Sequence, residues 1–117
     1  MPHKYLSRVT LAFMVLLLFV PPVAHAKQEK QIFLILTEIQ ENVSVKNWDA
    51  AEQYAEKLER HYKDKQWKYQ LMGDKEEYET AANDIQQIKA AIAVKDHKQA
   101  TILLTHLRTL LKQIYKM

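Results

Sequence analysis

From residue 28 onward, apolar residues recur at helical spacing in four blocks. Ile32, Ile35, Leu36, Ile39 and Val43 stand at i, i+3, i+4, i+7 and i+11, which marks one face of a helix over 28–43. Phe33 and Leu34 lie off that face and either widen it or offer a partner surface. A second block predicts a helix over 48–72, with Ala51, Tyr54, Ala55, Leu58, His61, Tyr62, Tyr69 and Met72 in one sector. Its opposite side is charged and carries Glu56–Arg60, Glu59–Lys63 and Asp64–Lys68 at i,i+4 with the acid first, each pair contributing ~0.3–0.5 kcal/mol. Tyr78, Ala81, Ala82, Ile85, Ile88 and Ile92 predict a third helix over 75–93. Ala100, Leu103, Leu104, Leu107, Leu110, Leu111 and Ile114 predict a fourth over 97–116.

Polar residues punctuate these blocks where helices stop and start. Asn47 can cap the second helix, and Asp49 suits its first turn. Gly73 is expected to end that helix in the left-handed conformation. Asp74 with Glu77 three residues later reads as a capping box. Asp96 is the expected N-cap of the fourth helix, whose end carries Lys112 and Lys116. The acidic run Asp74, Glu76, Glu77, Glu79 lacks the alternating ligands and internal glycine of a calcium loop. It fits a helix N-terminus instead.

The two halves match at an offset of 49 residues. Val45-Lys46-Asn47 aligns with Val94-Lys95-Asp96, Ala51 with Ala100 and Leu58 with Leu107. Leu36, Ile39 and Val43 align with Ile85, Ile88 and Ile92. Two αα-hairpins with one apolar stripe per helix bury those stripes by packing on each other. The expected fold is all-α: an antiparallel four-helix bundle made of two αα-hairpins, preceded by a signal-peptide helix. Stacked helical repeats are the alternative, although solenoids usually need three or more units.

Composition narrows this further. Residues 1–26 read as a signal peptide: Lys4 and Arg8, an apolar run from Val9 to Val20, a break at Pro21-Pro22, and Ala24-His25-Ala26 before the cut. The run is short of the ~20 residues of a membrane span, so no stable span is expected after cleavage; an uncleaved N-terminal anchor is the alternative. The expected location is extracytoplasmic, secreted or envelope-associated. Removing 26 of 117 residues leaves 91, enough for one domain at 27–117. Two of the 17 basic residues leave with the leader, so 15 face 14 acidic ones, a near balance that argues against a nucleic-acid partner. The chain has one glycine, and its three prolines all precede residue 27, which leaves little turn chemistry for sheets.

The turn with VKNWDAAEQYAEKLE (45–59), the second tryptophan within KDKQWKYQL (63–71), and the helical tail from Asp84 through Tyr115 resemble a bacterial family of small helical proteins. That family is grouped only as a domain of unknown function. The resemblance implies an exported or membrane-tethered helical protein and supplies no activity. The family often carries a histidine before its third helix; this chain has Gly73-Asp74 there, so no role for such a histidine carries over.

Candidate chemistry is sparse. With no cysteine, thiol catalysis, disulfides and thiolate metal sites are excluded. Ser44 is the lone serine after the leader, and no phosphate-binding glycine loop or paired-histidine zinc motif occurs. His61, His97 and His106 include no i,i+3 or i,i+4 pair. No catalytic, cofactor-binding or metal-binding residue is assigned, no cofactor is expected, and the reading is non-enzymatic. The expected role is contact with an unknown protein or envelope partner. A small-ligand, metal or haem carrier is the alternative, with an interior pocket near Tyr54, His61, Tyr62 and His106. Homodimerisation through the last helix enters if its leucines exceed what one bundle buries. Trp67 and Leu71 form the candidate interaction patch. Both lie off the helix-two stripe among lysines, and tryptophan is enriched at binding hot spots. A change of packing face near the end of that helix is the competing account.

Overall fold

The computed structural model of the chain describes residues 30–115. The expected leader, 1–26, the start of the first helix at 28–29, and residue 116 lie outside them. The described residues from Ile32 onward belong to one compact unit, and Lys30 and Gln31 are helical. Among the described residues there are five helices and no strand: α1 (30–44), α2 (Trp48–Asp64), α3 (Gln66–Met72), α4 (Lys75–Ala93) and α5 (His97–Tyr115). The chain is all-α.

The predicted stripes are what the fold buries. Ile32, Ile35, Leu36, Ile39 and Val43 of α1 join one core with Ala51, Ala55, Leu58 and Tyr62 of α2 and all seven stripe residues of α5. Phe33 packs against this core, whereas Leu34 is exposed. Trp48, Tyr54 and Met72 are half-buried against it. Cross-contacts give the helix directions. Glu59 of α2 meets Gln86 and Lys89, and Tyr62 one turn later meets Tyr78, so α2 and α4 run antiparallel. Phe33 meets Tyr115 while Thr37 and Gln40 meet Arg108, so α1 and α5 also run antiparallel.

The 49-residue register reappears in the backbone. Val45, Lys46 and Asn47 donate to Glu41, Val43 and Asn42; Val94, Lys95 and Asp96 donate to Ala90, Ile92 and Ala91. Each lysine occupies the left-handed region, φ 59° at Lys46 and 57° at Lys95. The next residue then caps the following helix: Asn47 Oδ1 accepts from Ala50, Asp96 Oδ1 from Gln99. These are two copies of one helix stop.

Two expectations change. Residues 48–72 are not one helix. The chain breaks at Lys65 (φ −104°, ψ 13°), where the Lys68 amide reaches back three residues to the Lys65 carbonyl. Neither proline nor glycine marks the break. Its correlate is tertiary: Tyr62 and Tyr69 are both buried and stack with centroids 4.7 Å apart. On a straight helix, residues seven apart rise ~10.5 Å. Gly73 is likewise not left-handed but extended, at φ −101° and ψ 164°. It is suited to a close approach instead. A Cβ there would lie 3.3 Å from Ile114 Cγ1 and 3.4 Å from the Tyr69 carbonyl oxygen. The Asp74–Glu77 capping box is present with both of its hydrogen bonds.

Candidate contact surface

The end of the molecule that carries α3 is built on aromatic rings. Tyr62 stacks on Tyr69 at 4.7 Å and on Tyr78 at 5.8 Å; Tyr115 meets Tyr69 edge-on at 5.8 Å and Phe33 at 5.9 Å. The rings tie together α1, α2, α3, α4 and α5. The hydroxyls of Tyr62, Tyr69 and Tyr115 are engaged. Tyr62 donates to the Tyr78 carbonyl at 2.7 Å and Tyr115 donates to the Tyr69 hydroxyl at 2.9 Å. Burial pushes the Tyr62 phenol well above its ordinary value, with Tyr78 and Tyr115 adding to the shift. The hydroxyl therefore remains a donor throughout the neutral range.

Tyr69 anchors α3 from below and is fully buried. That orientation decides what the helix shows outside. At ~100° per residue, Trp67 and Leu71 lie on the opposite pole. They are 59% and 78% exposed, among the most exposed large apolar side chains of the described residues. Gln66 and Gln70 flank the pole on one side, and Lys68, whose ammonium lies 5.9 Å from the Tyr115 ring centre, flanks it on the other. The outward face of α3 is thus apolar where an ordinary surface helix is polar. The packing-face change expected near the helix end is also present, as the break at Lys65. Leu34, 64% exposed, lies next to Phe33 at this same end.

Three polar arrangements tie the helices together beside the apolar stripes. Asp84, the one buried charged residue among those described, bonds through Oδ2 to His106 Nδ1 across α4 and α5. It occupies a position between Ala81 and Ile88 on the apolar stripe of α4, so an acid interrupting that stripe was the available clue. Arg108 of α5 donates to the Phe33 carbonyl, Thr37 Oγ1 and Gln40 Oε1 on α1, all neutral acceptors. Glu59 receives Gln86, Lys89 and Lys63. The Gln86 hydrogen bond first, then Lys89, holds its carboxyl below the usual range.

Of the residues of the carrier reading, Tyr62 alone lines the cleft beside Tyr78. Tyr62 borders an open cleft of about 230 Å³ together with Glu59, Lys63, Gln66, Tyr78, Ala82, Ile85 and Gln86; neither His61 nor His106 lines it. His106 turns to Asp84, and His61 on α2 keeps Nε2 buried with no partner among the described residues. Burial, and then Lys65, hold the His61 imidazole below its ordinary value. Among the described residues, no three His, Asp or Glu side chains come together as a metal would require. Among them, too, no helix is long and apolar enough to cross a membrane.

No curated protein and no solved structure matches the chain. A family model does match, from residue 26 to residue 117, over all the described helices. That model is the Domain of unknown function (DUF4363), and the chain belongs to its family.

Proposed function

We propose that this is a non-enzymatic, exported protein that acts by contact with a protein or with the cell envelope through the outer pole of α3. In this reading α1, α2 with α3, α4 and α5 form an antiparallel four-helix bundle of two αα-hairpins, and residues 1–26 serve as the export signal. The observation that carries the proposal is the 59% exposure of Trp67 beside Leu71 on a helix whose other side is pinned by Tyr69. Full burial of a large apolar side chain is worth ~1.5–3 kcal/mol, and Trp67, 59% exposed, forgoes much of it, so its outward placement fits an anchor for something else. The test is a photo-crosslinking side chain at position 67 in the native envelope, compared with one at Gln53 on the exposed side of α2. Adducts at 67 and not at 53 support the proposal; equal labelling, or none at 67, removes it.

A further inference from the structure

We propose that residues 48–72 work as a hinge between two forms of the protein. One is the form described above, bent at Lys65. The other is an exchanged dimer, in which α2 and α3 run on as one helix and the α4–α5 half of each copy packs on the α1–α2 half of the other. Local chemistry supports the other helix starts but not this bend. α2, α4 and α5 open on Asn47, Asp74 and Asp96, each of which accepts from an amide of the first turn. α3 opens on Lys65 with no side-chain cap, and Lys65 is neither glycine nor proline. In an unbroken helix the first amides of α3 would bond to carbonyls of α2. Asp64 and Lys68 would stand at i,i+4 with the acid first, and the stripe from Ala51 to Met72 would keep to one face.

The partner is a second copy because the contacts that join the two halves need nothing from outside the chain. Glu59 with Gln86 and Lys89, Tyr62 with the Tyr78 carbonyl, Arg108 with Thr37 and Gln40, and Phe33 with Tyr115 each link a residue before α3 to one after it. A neighbouring chain presents the same residues, so exchange restores each of these contacts twice and requires no new surface. Each half keeps its own helix stop, built alike at Lys46 and Lys95. The open form loses the Tyr62–Tyr69 stack that accompanies the bend and gains a continuous helix. Association also costs translational and rotational freedom. The closed chain therefore prevails at micromolar concentration, and exchange appears when chains refold together at millimolar concentration.

The chain has no cysteine, so introduced thiols report without background. Full-length Glu59→Cys and Gln86→Cys chains are mixed in urea, refolded together at millimolar concentration, and treated with a short bismaleimide. Exchange sets the thiol at position 59 of one chain beside the thiol at position 86 of the other. The product joining 59 to 86 should therefore dominate over those joining 59 to 59 or 86 to 86. Pairing through the apolar run Val9–Val20 or through the α3 pole gives no such preference. Thr37→Cys with Arg108→Cys reads the α1–α5 contact in the same way, and serves if the first variants fail to fold. Lys65→Gly disfavours an unbroken helix by about threefold per copy, so in both chains it should lower the product about tenfold. Products in statistical proportion overturn the exchange. A product that Lys65→Gly leaves unchanged or raises overturns the hinge.

Discussion

His61 shows how one misfit side chain becomes measurable. Its Nε2 is buried without a partner among the described residues, and burial favours the neutral ring in the fold. The unfolded chain takes up a proton as pH falls below ~6.5, whereas the folded chain resists it. Its contribution is therefore full above that pH and is lost as pH falls through the lower folded value. His61→Leu should flatten this acid limb of stability and, by removing an unsatisfied buried nitrogen, stabilise by about 1 kcal/mol at pH 7. Urea melts from pH 7.5 to 5 would show both effects. Asp84 makes the complementary case. His106→Ala strands a buried carboxylate and should cost ~1–3 kcal/mol. The double change Asp84→Leu with His106→Ala should recover most of that, because Asp84 is the buried partner and an apolar residue there leaves no carboxylate stranded. Recovery below one third in thermal melts would show that the pair contributes more than its own satisfaction.

Helix ends are where local chemistry was most legible. Asn47, Asp74 and Asp96 cap as their side chains require, and Glu77 completes its box. The repeated lysine stop was legible as a match between turns, but its backbone was not, since lysine rarely takes the left-handed region, at a cost of ~1–2 kcal/mol. Lys46→Gly and Lys95→Gly should each stabilise by ~0.5–1 kcal/mol, the relieved strain less the greater freedom of unfolded glycine. A lower midpoint in chemical denaturation for either variant would mean that the lysine side chain is needed at the turn. The break at Lys65 is the reverse case. Nothing in KDKQWK demands it, and it belongs with the tyrosine stack that α2 and α3 share with α4 and α5.

Taken whole, the molecule leaves little apolar surface on α5. Its seven stripe residues, Leu103 and Leu110 included, are buried within the domain, and Ile102 is the large apolar side chain that α5 leaves exposed. The premise for pairing two copies through α5 is therefore removed, and the chain starting at Lys27 should sediment as a monomer at micromolar concentration. A dimer that survives Ile102→Glu would point to another face, with the α3 pole the first to examine. Cohesion between the remaining elements is polar as well as apolar: Glu59 joins α2 to α4, and Arg108 joins α5 to α1.

The apolar stripes, the caps and the all-helical class follow from sequence because each depends on residues within a few positions of one another. Periodicity shows which side of a helix seeks burial, and a capping side chain reaches only its own first turn. Tertiary structure alone decided the division of 48–72, the extended backbone of Gly73, the Asp84–His106 and Arg108 contacts, and the outward pole of α3. Each of these joins groups far apart in the chain. Trp67 could be named from its wheel position, but its exposure depended on Tyr69 being taken into a ring stack with Tyr62 and Tyr115, residues seven and 46 positions away.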